Sequence, residues 1–153
     1  MIVFIVPGLR ETSPINWLVS LVLRLQNEFD VLVFSMDDDI YTSLNKERLL
    51  NSGIKVVYGR GAGFSGFILN FFAVSKLLQQ YRPNVIFSLL IRADFLASMM
   101  GARTTSVSSL RNMVDEEYTY TYGKFLGRIL SWLHLGALRR IDHSVAMSVG
   151  MRA

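Results

Sequence analysis

Residues 81–100 read YRPNVIFSLLIRADFLASMM and contain the end of one helix, a buried strand and the start of another helix. Arg82 and Pro83 end the preceding helical pattern, because proline disfavours the helical conformation in the residue before it. The apolar run at residues 85–89 predicts a strand, and residues 93–100 predict a helix. A short apolar run between two helices is typical of a buried strand in a parallel sheet.

The same alternation of short apolar runs and helical patterns extends along the chain. Strands are also predicted at residues 2–6, 31–36, 54–58, 104–109 and 143–148, and helices at residues 14–27, 42–51, 64–81 and 116–141. Right-handed crossovers between parallel strands leave few arrangements for this order of elements. We therefore predict an α/β fold with a Rossmann-like, doubly wound, mainly parallel sheet of about six strands and helices on both faces.

Length and composition fit one domain over residues 1–153. The chain is 51% hydrophobic and 18% charged, so it can bury a core of its own. It has two histidines and no cysteine, so it offers no thiolate as a metal ligand or nucleophile. The amino-terminal MIVFIV breaks at Pro7 without a basic segment before it, which predicts a strand and not a signal sequence. Charged or polar residues interrupt the apolar runs, so we expect no spanning helix and a cytoplasmic protein.

A glycine cluster follows the third predicted strand. Gly61, Gly63 and Gly66 match G-x-G-x-x-G, a spacing that lets backbone amides approach a pyrophosphate. The cluster does not follow the first strand, and no acidic residue lies about 20 positions further on to bind a ribose. We interpret it as a connecting loop and not as a dinucleotide site.

Three consecutive carboxylates, Asp37, Asp38 and Asp39, follow the second predicted strand. Carboxylate oxygens can chelate a divalent cation, as in metal-dependent transferases, and that function stays an alternative. A metal site needs converging ligands from elsewhere in the chain, and the sequence identifies none. We therefore assign no metal site and interpret the run as a solvated turn.

The long helix predicted at residues 116–141 combines apolar and basic sides. The apolar stripe expected to face the core comprises Leu126, Ile129, Leu130, Leu133, Ala137, Leu138 and Ile141. His134 has helical spacing with this stripe and is predicted to be a partly buried structural imidazole. The opposite side presents Lys124, Arg128, Trp132 and Arg139.

This basic side suits the headgroup layer of an anionic membrane, given the net charge of +4 and the isoelectric point near 9.6. A solvated helix face explains it equally well. Membrane contact would make the protein peripheral on the inner membrane face. The basic residues are scattered along the chain and no nucleic-acid-binding motif is present, so we predict no nucleic-acid partner.

Three sequence blocks, in this order, resemble those of a known family. Residues 82–88 read RPNVIFS and are similar to a block R-P-D-V-I-H-x-H, residues 109–112 read SLRN and are similar to T-x-H-N, and residues 140–148 read RIDHSVAMS and resemble R-x-D-x-V-x-x-S. Together they resemble the amino-terminal, acceptor-side domain of a family 4 glycosyltransferase, a single lobe of the two-lobed GT-B fold.

The resemblance implies transfer of a sugar from a nucleotide-sugar donor to a glycan or lipid-linked acceptor, with retention of anomeric configuration. In that family the carboxyl-terminal lobe makes most of the donor contacts. The chain is therefore expected to bind the acceptor, to need no cofactor of its own, and to be inactive alone. A donor-binding lobe or partner chain would complete the enzyme.

The resemblance and the positions of the loops nominate residues for the acceptor side of the cleft: Gly8, Arg10, Arg92, Asp94, Arg111, Asn112 and Glu117. The glycine would allow close backbone approach, the first two arginines would bind anionic groups, and the aspartate would bind a sugar hydroxyl or cap a helix. The last three would form the cleft floor, and no catalytic residue is assigned.

Arg111 stands where the family often has a histidine. An arginine side chain can bind phosphate or carboxylate through two parallel hydrogen bonds, but it stays protonated and cannot act as a general base. An ion pair with Asp115, Glu116 or Glu117 is an equally good explanation.

A second class of function uses the same fold without catalysis. A Rossmann-like scaffold or binding subunit could recruit a partner, a membrane or a second copy of itself through an exposed apolar face. This alternative predicts self-association that does not depend on a sugar nucleotide.

Overall fold

The computed structural model describes residues 1–37, 43–61, 63–100, 104–110 and 114–146. The strands in these residues are β1 (Ile2–Val6), β2 (Val31–Ser35), β3 (Lys55–Tyr58), β4 (Val85–Leu89), β5 (Thr105–Leu110) and β6 (His143–Ala146). The helices are α1 (Ser13–Leu25), α2 (Leu44–Asn51), α3 (Phe64–Tyr81), α4 (Ile91–Ser98), α5 (Val114–Tyr122) and α6 (Lys124–Leu138).

The described strands form one six-stranded, all-parallel sheet in the order β3-β2-β1-β4-β5-β6. Helices α1 and α2 pack on one face, against a cluster that includes Phe4 and Val33. Helices α3 and α4 pack on the other face, against Ile5 and Phe34. The predicted Rossmann-like, doubly wound α/β fold is confirmed. In the described part of the chain, no helix has the length and apolarity needed to cross a membrane.

Local sequence sets the ends of several helices. Ser43 caps α2 by accepting a hydrogen bond from the Lys46 backbone N–H at 3.1 Å. Helix α3 ends at Arg82, whose φ of 45° turns the chain just before Pro83. Helix α1 begins at Ser13, one residue before its predicted start, with Thr12 at the cap position.

The helix predicted at residues 116–141 is two helices, because Gly123 adopts a φ of +79° between α5 and α6. The two helices pack closely at Gly127, where a Cβ atom would lie 2.5 Å from the Tyr118 carbonyl oxygen. A glycine is therefore required at this contact. The corner lets α5 and α6 pack side by side instead of continuing as one rod.

The predicted core stripe of this region is wrong in part. Leu126, Ile129 and Leu133 are exposed in α6. The side of α6 that faces the protein instead carries small and polar residues: Gly127, Ser131, His134 and Ala137. Close helix packing at the glycine explains the difference, because it leaves no space for large side chains on the inner face.

The β4–α4 junction has no connecting loop. Leu90 alone separates the strand from the helix, with φ 71° and ψ 155°, a conformation that residues other than glycine rarely adopt. The helix begins at Ile91, two residues before the predicted start. This sharp turn places Asp94 in the first turn of α4, at the carboxyl end of β4.

Strand β6 is fastened to β5 at its amino end by Asp142. Its Oδ2 atom accepts hydrogen bonds from the backbone N–H and the hydroxyl of Ser106, both at 2.8 Å. These bonds, with a smaller contribution from nearby His143, hold the pKa of the Asp142 carboxyl below its usual value of 3.8. The aspartate of the RIDHS block thus has a structural role in this chain.

Candidate functional site

The carboxyl ends of the strands form the edge of the sheet where ligands are expected. The chain places β2 and β3 on one side of β1 and places β4, β5 and β6 on the other side. In doubly wound sheets, ligands bind beyond the carboxyl ends of the strands, near the point where the winding reverses. Two groups of side chains lie at this edge.

The first group joins the loops after β1 and β2 to the start of α4. Asp37 Oδ1 accepts a hydrogen bond from Arg92 at 3.5 Å, and Arg92 also donates to the Gly61 carbonyl oxygen at 3.4 Å. A Cβ atom on Gly8 would lie 2.5 Å from Asp37 Oδ2, so the glycine provides space for that carboxylate. The predicted residues Gly8 and Arg92 therefore come together around Asp37.

The glycine cluster is held by Asn70, a fully buried side chain of α3. The side-chain amide nitrogen donates to the carbonyl oxygens of Met36 at 3.0 Å and Gly61 at 3.3 Å, and its oxygen accepts from the Arg60 backbone N–H at 2.8 Å. A Cβ atom on Gly66 would lie 2.5 Å from the Gly61 carbonyl oxygen. Packing of the loop against α3 therefore accounts for Gly66, and the φ of +93° accounts for Gly61.

The second group is centred on Asp94, whose side chain is 1% exposed. Its Oδ1 atom accepts hydrogen bonds from the hydroxyls of Ser88 at 2.6 Å and Ser108 at 2.7 Å. Its Oδ2 atom lies 3.1 Å from Nε2 of His134. Residues from β4, β5 and α6 thus converge on one buried carboxyl group.

The hydrogen bonds continue from His134 to α5. Nδ1 of His134 lies 3.3 Å from the hydroxyl oxygen of Tyr118, and the two rings pack edge to face with centroids 5.9 Å apart. Because a carboxylate only accepts, Nε2 of His134 is the donor to Asp94. In the neutral imidazole, Nδ1 is then an acceptor for the Tyr118 hydroxyl. The three side chains form a relay from carboxylate to imidazole to phenol, which we call the Asp94 relay.

A cavity of about 140 Å³ lies beside the Asp94 relay, at the carboxyl ends of β4 and β5. Its lining includes Leu90, Asp94, Ser109, Tyr118 and His134. The Ser109 hydroxyl is buried and has no hydrogen-bond partner among the described residues. Alternation along β5 directs this side chain to the face opposite that of Ser108, away from Asp94.

The cavity is smaller than the 300–1,000 Å³ or so of a site that encloses a whole drug-sized ligand. Its volume of about 140 Å³ suits a hydroxyl-bearing fragment such as part of one sugar ring. The lining offers a carboxylate, a hydroxyl and an imidazole–phenol pair, which together can accept and donate hydrogen bonds and can move a proton. The arrangement therefore offers hydrogen-bonding partners to a small polar group.

The remaining predicted residues lie elsewhere or cannot be placed. Arg10 is exposed in the loop after β1, where its carbonyl oxygen accepts a 3.5 Å hydrogen bond from the side chain of Asn45. Arg111, Asn112 and the side chain of Glu117 lie outside the described residues. Asp38 and Asp39 also lie outside them. No group of three or more potential metal ligands converges in the part of the chain that the structure describes.

The sequence interpretation missed the roles of Ser88, Ser108 and Tyr118 in this site. His134 is buried and hydrogen bonded, as predicted, but its link to Asp94 was not expected. One signal was present in the sequence. Strands buried on both faces normally contain valine, isoleucine and leucine, so serines in VIFSL and TSVSSL indicate a polar cluster next to those strands.

The four residues of the predicted basic side of the long helix lie at the protein surface. Lys124, Arg128, Trp132 and Arg139 are all exposed, at α6 or its end. These residues lie outside the cavity lining. They form a surface separate from the Asp94 relay.

Comparison with other proteins adds no assignment to this geometry. The chain matches neither a model of a known protein family nor a curated protein.

Proposed function

We propose that the chain is the acceptor-binding half of a retaining glycosyltransferase with two lobes, which transfers a sugar from a nucleotide-sugar donor to a glycan or lipid-linked acceptor. The observation that carries the proposal is the cavity beside the Asp94 relay, which Asp94, Tyr118 and His134 line at the carboxyl ends of β4 and β5. The sequence blocks that resemble family 4 glycosyltransferases agree with this function.

The chemistry of the cavity supports an acceptor over a nucleotide sugar. An acceptor hydroxyl needs hydrogen-bonding partners that hold it in line for attack, and positioning of this kind supplies a large share of the rate enhancement. Asp94, Tyr118 and His134 are partners of the appropriate kind. A diphosphate is stabilised by cations, and the lining of this cavity contains no lysine or arginine among the described residues. The starts of α4 and α5, at Ile91 and Val114, also border the cavity and can donate backbone hydrogen bonds to either kind of ligand.

The Asp94 relay orients the groups that would contact the acceptor. Two serine hydroxyls and the His134 ring fix the Asp94 carboxylate, and His134 in turn fixes Tyr118. In this proposal these are positioning residues, and the transfer chemistry takes place only when a second lobe brings the donor. The isolated chain is therefore expected to bind a sugar weakly and to transfer none.

The first test is calorimetric titration of the chain with UDP, GDP and their sugars, with and without magnesium. The proposal predicts no binding in the micromolar range. Micromolar binding would place a donor site in this chain and would contradict the acceptor-only function. Titration with manganese belongs in the same series, because binding lost in Asp37→Ala would favour the metal-dependent alternative.

The second test asks whether the cavity binds sugars. Saturation-transfer NMR with a panel of methyl glycosides should show weak binding that Tyr118→Phe weakens, because phenylalanine keeps the ring and lacks the hydroxyl. Tyr120→Phe, at a 95% exposed position in α5, is the matched control and should bind normally. Equal signals from both variants and the original chain would place sugar binding outside the cavity.

The non-catalytic scaffold is the second candidate, and one observation favours it. Phe64 is 83% exposed at the start of α3, which follows the carboxyl end of β3. A missing lobe or a recruited partner would both cover such a side chain. Light scattering during size-exclusion chromatography separates the two: a stable oligomer with no glycoside binding favours the scaffold, and a monomer that binds glycosides favours the acceptor lobe.

A further inference from the structure

The outward side of α6 is apolar. Phe125 is 84% exposed and Trp132 is 72% exposed, and three aliphatic side chains beside them are exposed as well: Leu126, Ile129 and Leu133. Helical geometry, about 100° per residue, gathers these residues on one side of the helix. A surface helix normally turns its large apolar residues inward and its charged residues outward. Helix α6 departs from this rule, so its outward side is adapted to contact something other than water.

Basic residues border this apolar side. Lys124, Arg128 and Arg139 are exposed, and helical geometry places them within about 60° of one another along one edge of the apolar side. Helix α6 contains no aspartate or glutamate. The α6 face, defined as Phe125, Ile129, Trp132 and Leu133 with these three cations, is thus apolar and purely cationic.

We propose that the α6 face docks on an anionic lipid bilayer, with the helix lying in the plane of the headgroups. The cations would contact lipid phosphates, while Trp132 and Phe125 enter the boundary between headgroups and acyl chains, where aromatic side chains are stabilised. A second copy of the chain fits less well. A symmetric pair would bring like charges together, because this face has no acidic partner for them.

This inference does not depend on the proposed function. The face consists of residues outside the cavity lining, and lipid binding requires neither a sugar nor a second lobe. Membrane docking and acceptor binding can therefore succeed or fail separately in experiment.

A fluorescence experiment tests the contact at one residue. The chain has two tryptophans, so Trp17→Phe leaves Trp132 as the single emitter. Vesicles of phosphatidylcholine with phosphatidylglycerol should shift its emission to shorter wavelength, and brominated lipids should quench it. Vesicles of phosphatidylcholine alone should have little effect, and high salt should reverse binding because charge attraction is screened. An unchanged spectrum with the anionic vesicles overturns the proposal.

Vesicle cosedimentation of variants tests the face as a whole. Lys124→Gln with Arg128→Gln should lower the partition coefficient about 30-fold, since each cation near an anionic surface contributes about fivefold. Phe125→Ser with Trp132→Ser should lower it by roughly tenfold or more. The matched control is Phe64→Ser with Phe72→Ser, which removes two exposed aromatics from α3 and should bind normally.

Two results would contradict membrane docking at this face. Equal losses in the α3 control and the α6 variants would show unspecific adhesion of exposed aromatic residues. A chain that is dimeric in solution, and that Phe125→Ser with Trp132→Ser makes monomeric, would show that a second copy covers the face. Unchanged circular dichroism of each variant verifies that the fold is intact in these comparisons.

Discussion

Substitution Asp94→Ala removes the centre of the Asp94 relay. The carboxylate receives two serine hydroxyls and the His134 Nε2–H, all within 3.1 Å. The donors come from β4, β5 and α6, so the substitution releases three elements at once. We expect the cost to be that of leaving three buried donors without their acceptor.

The magnitude follows from burial. The side chains of Asp94 and His134 are 1% and 8% exposed, so solvent cannot replace the lost bonds. A buried polar group left without its partner costs about 1–3 kcal/mol, so three orphaned donors should cost at least about 3 kcal/mol, out of a total stability of about 5–15 kcal/mol for a typical domain. For a chain of this size the midpoint of thermal unfolding should fall by roughly 10 °C. Asp94→Asn should cost less, because an amide still accepts from both serines.

The assay is urea and thermal unfolding followed by circular dichroism. Asp30→Ala is the matched control, because Asp30 is exposed and its substitution should change stability by less than about 0.5 kcal/mol. A loss below about 1 kcal/mol for Asp94→Ala would refute the reasoning, since that is the net value of a single ordinary hydrogen bond.

Three further predictions concern other parts of the fold. Gly127→Ala should destabilise by about 1–3 kcal/mol, because its Cβ would meet the Tyr118 backbone, whereas Gly136→Ala has open space and should stabilise by about 0.5–1 kcal/mol in urea unfolding. Asn70→Ala removes three hydrogen bonds in the buried loop clamp and should cost about 2–4 kcal/mol by the same assay. The pKa of Asp142 is lower in the folded state, so its contribution to stability is complete well above pH 3.8 and is lost as the pH falls through the lowered value. Asp142→Asn should therefore make the free energy of unfolding fall less steeply with decreasing pH in this range. Parallel pH curves for the variant and the original chain would contradict this.

The strand and helix order was predictable because it depends on local patterns. Predicted bounds for α3 and β4 agree with the structure at both ends. These segments have clear signals, namely a long apolar helix closed by Arg82 and Pro83 and a short apolar run after them. The parallel order of the sheet then follows from the handedness of the crossovers.

The α5–α6 corner was missed because its cause is a contact distant in the fold. Gly123 and Gly127 read as ordinary glycines in a helical pattern, and only the approach of α6 to the Tyr118 backbone requires the second one. Once the helix turns at Gly123, the inner face needs small residues. The leucines and isoleucine that looked like core residues are therefore turned outward.

The candidate site could be predicted only in part for a similar reason. Loop positions nominated Asp94, since strand carboxyl ends are where ligands gather. Its partners come from β4, β5 and α6, and two of them, Ser108 and His134, lie 14 and 40 residues further along the chain. No local pattern links residues at such separations, so the Asp94 relay is a property of the tertiary structure.

The most direct test of the acceptor-lobe account is an imidazole-ring ¹⁵N–¹H NMR spectrum of the chain, recorded with and without methyl glycosides. The two histidines give two sets of ring signals, one from each imidazole. Exposed His143 serves as an internal control for buried His134. The account predicts that a glycoside shifts the His134 signals and leaves those of His143 unchanged, while UDP and GDP shift neither. Glycosides that leave His134 unchanged, or a nucleotide that shifts it at micromolar concentration, would contradict the account.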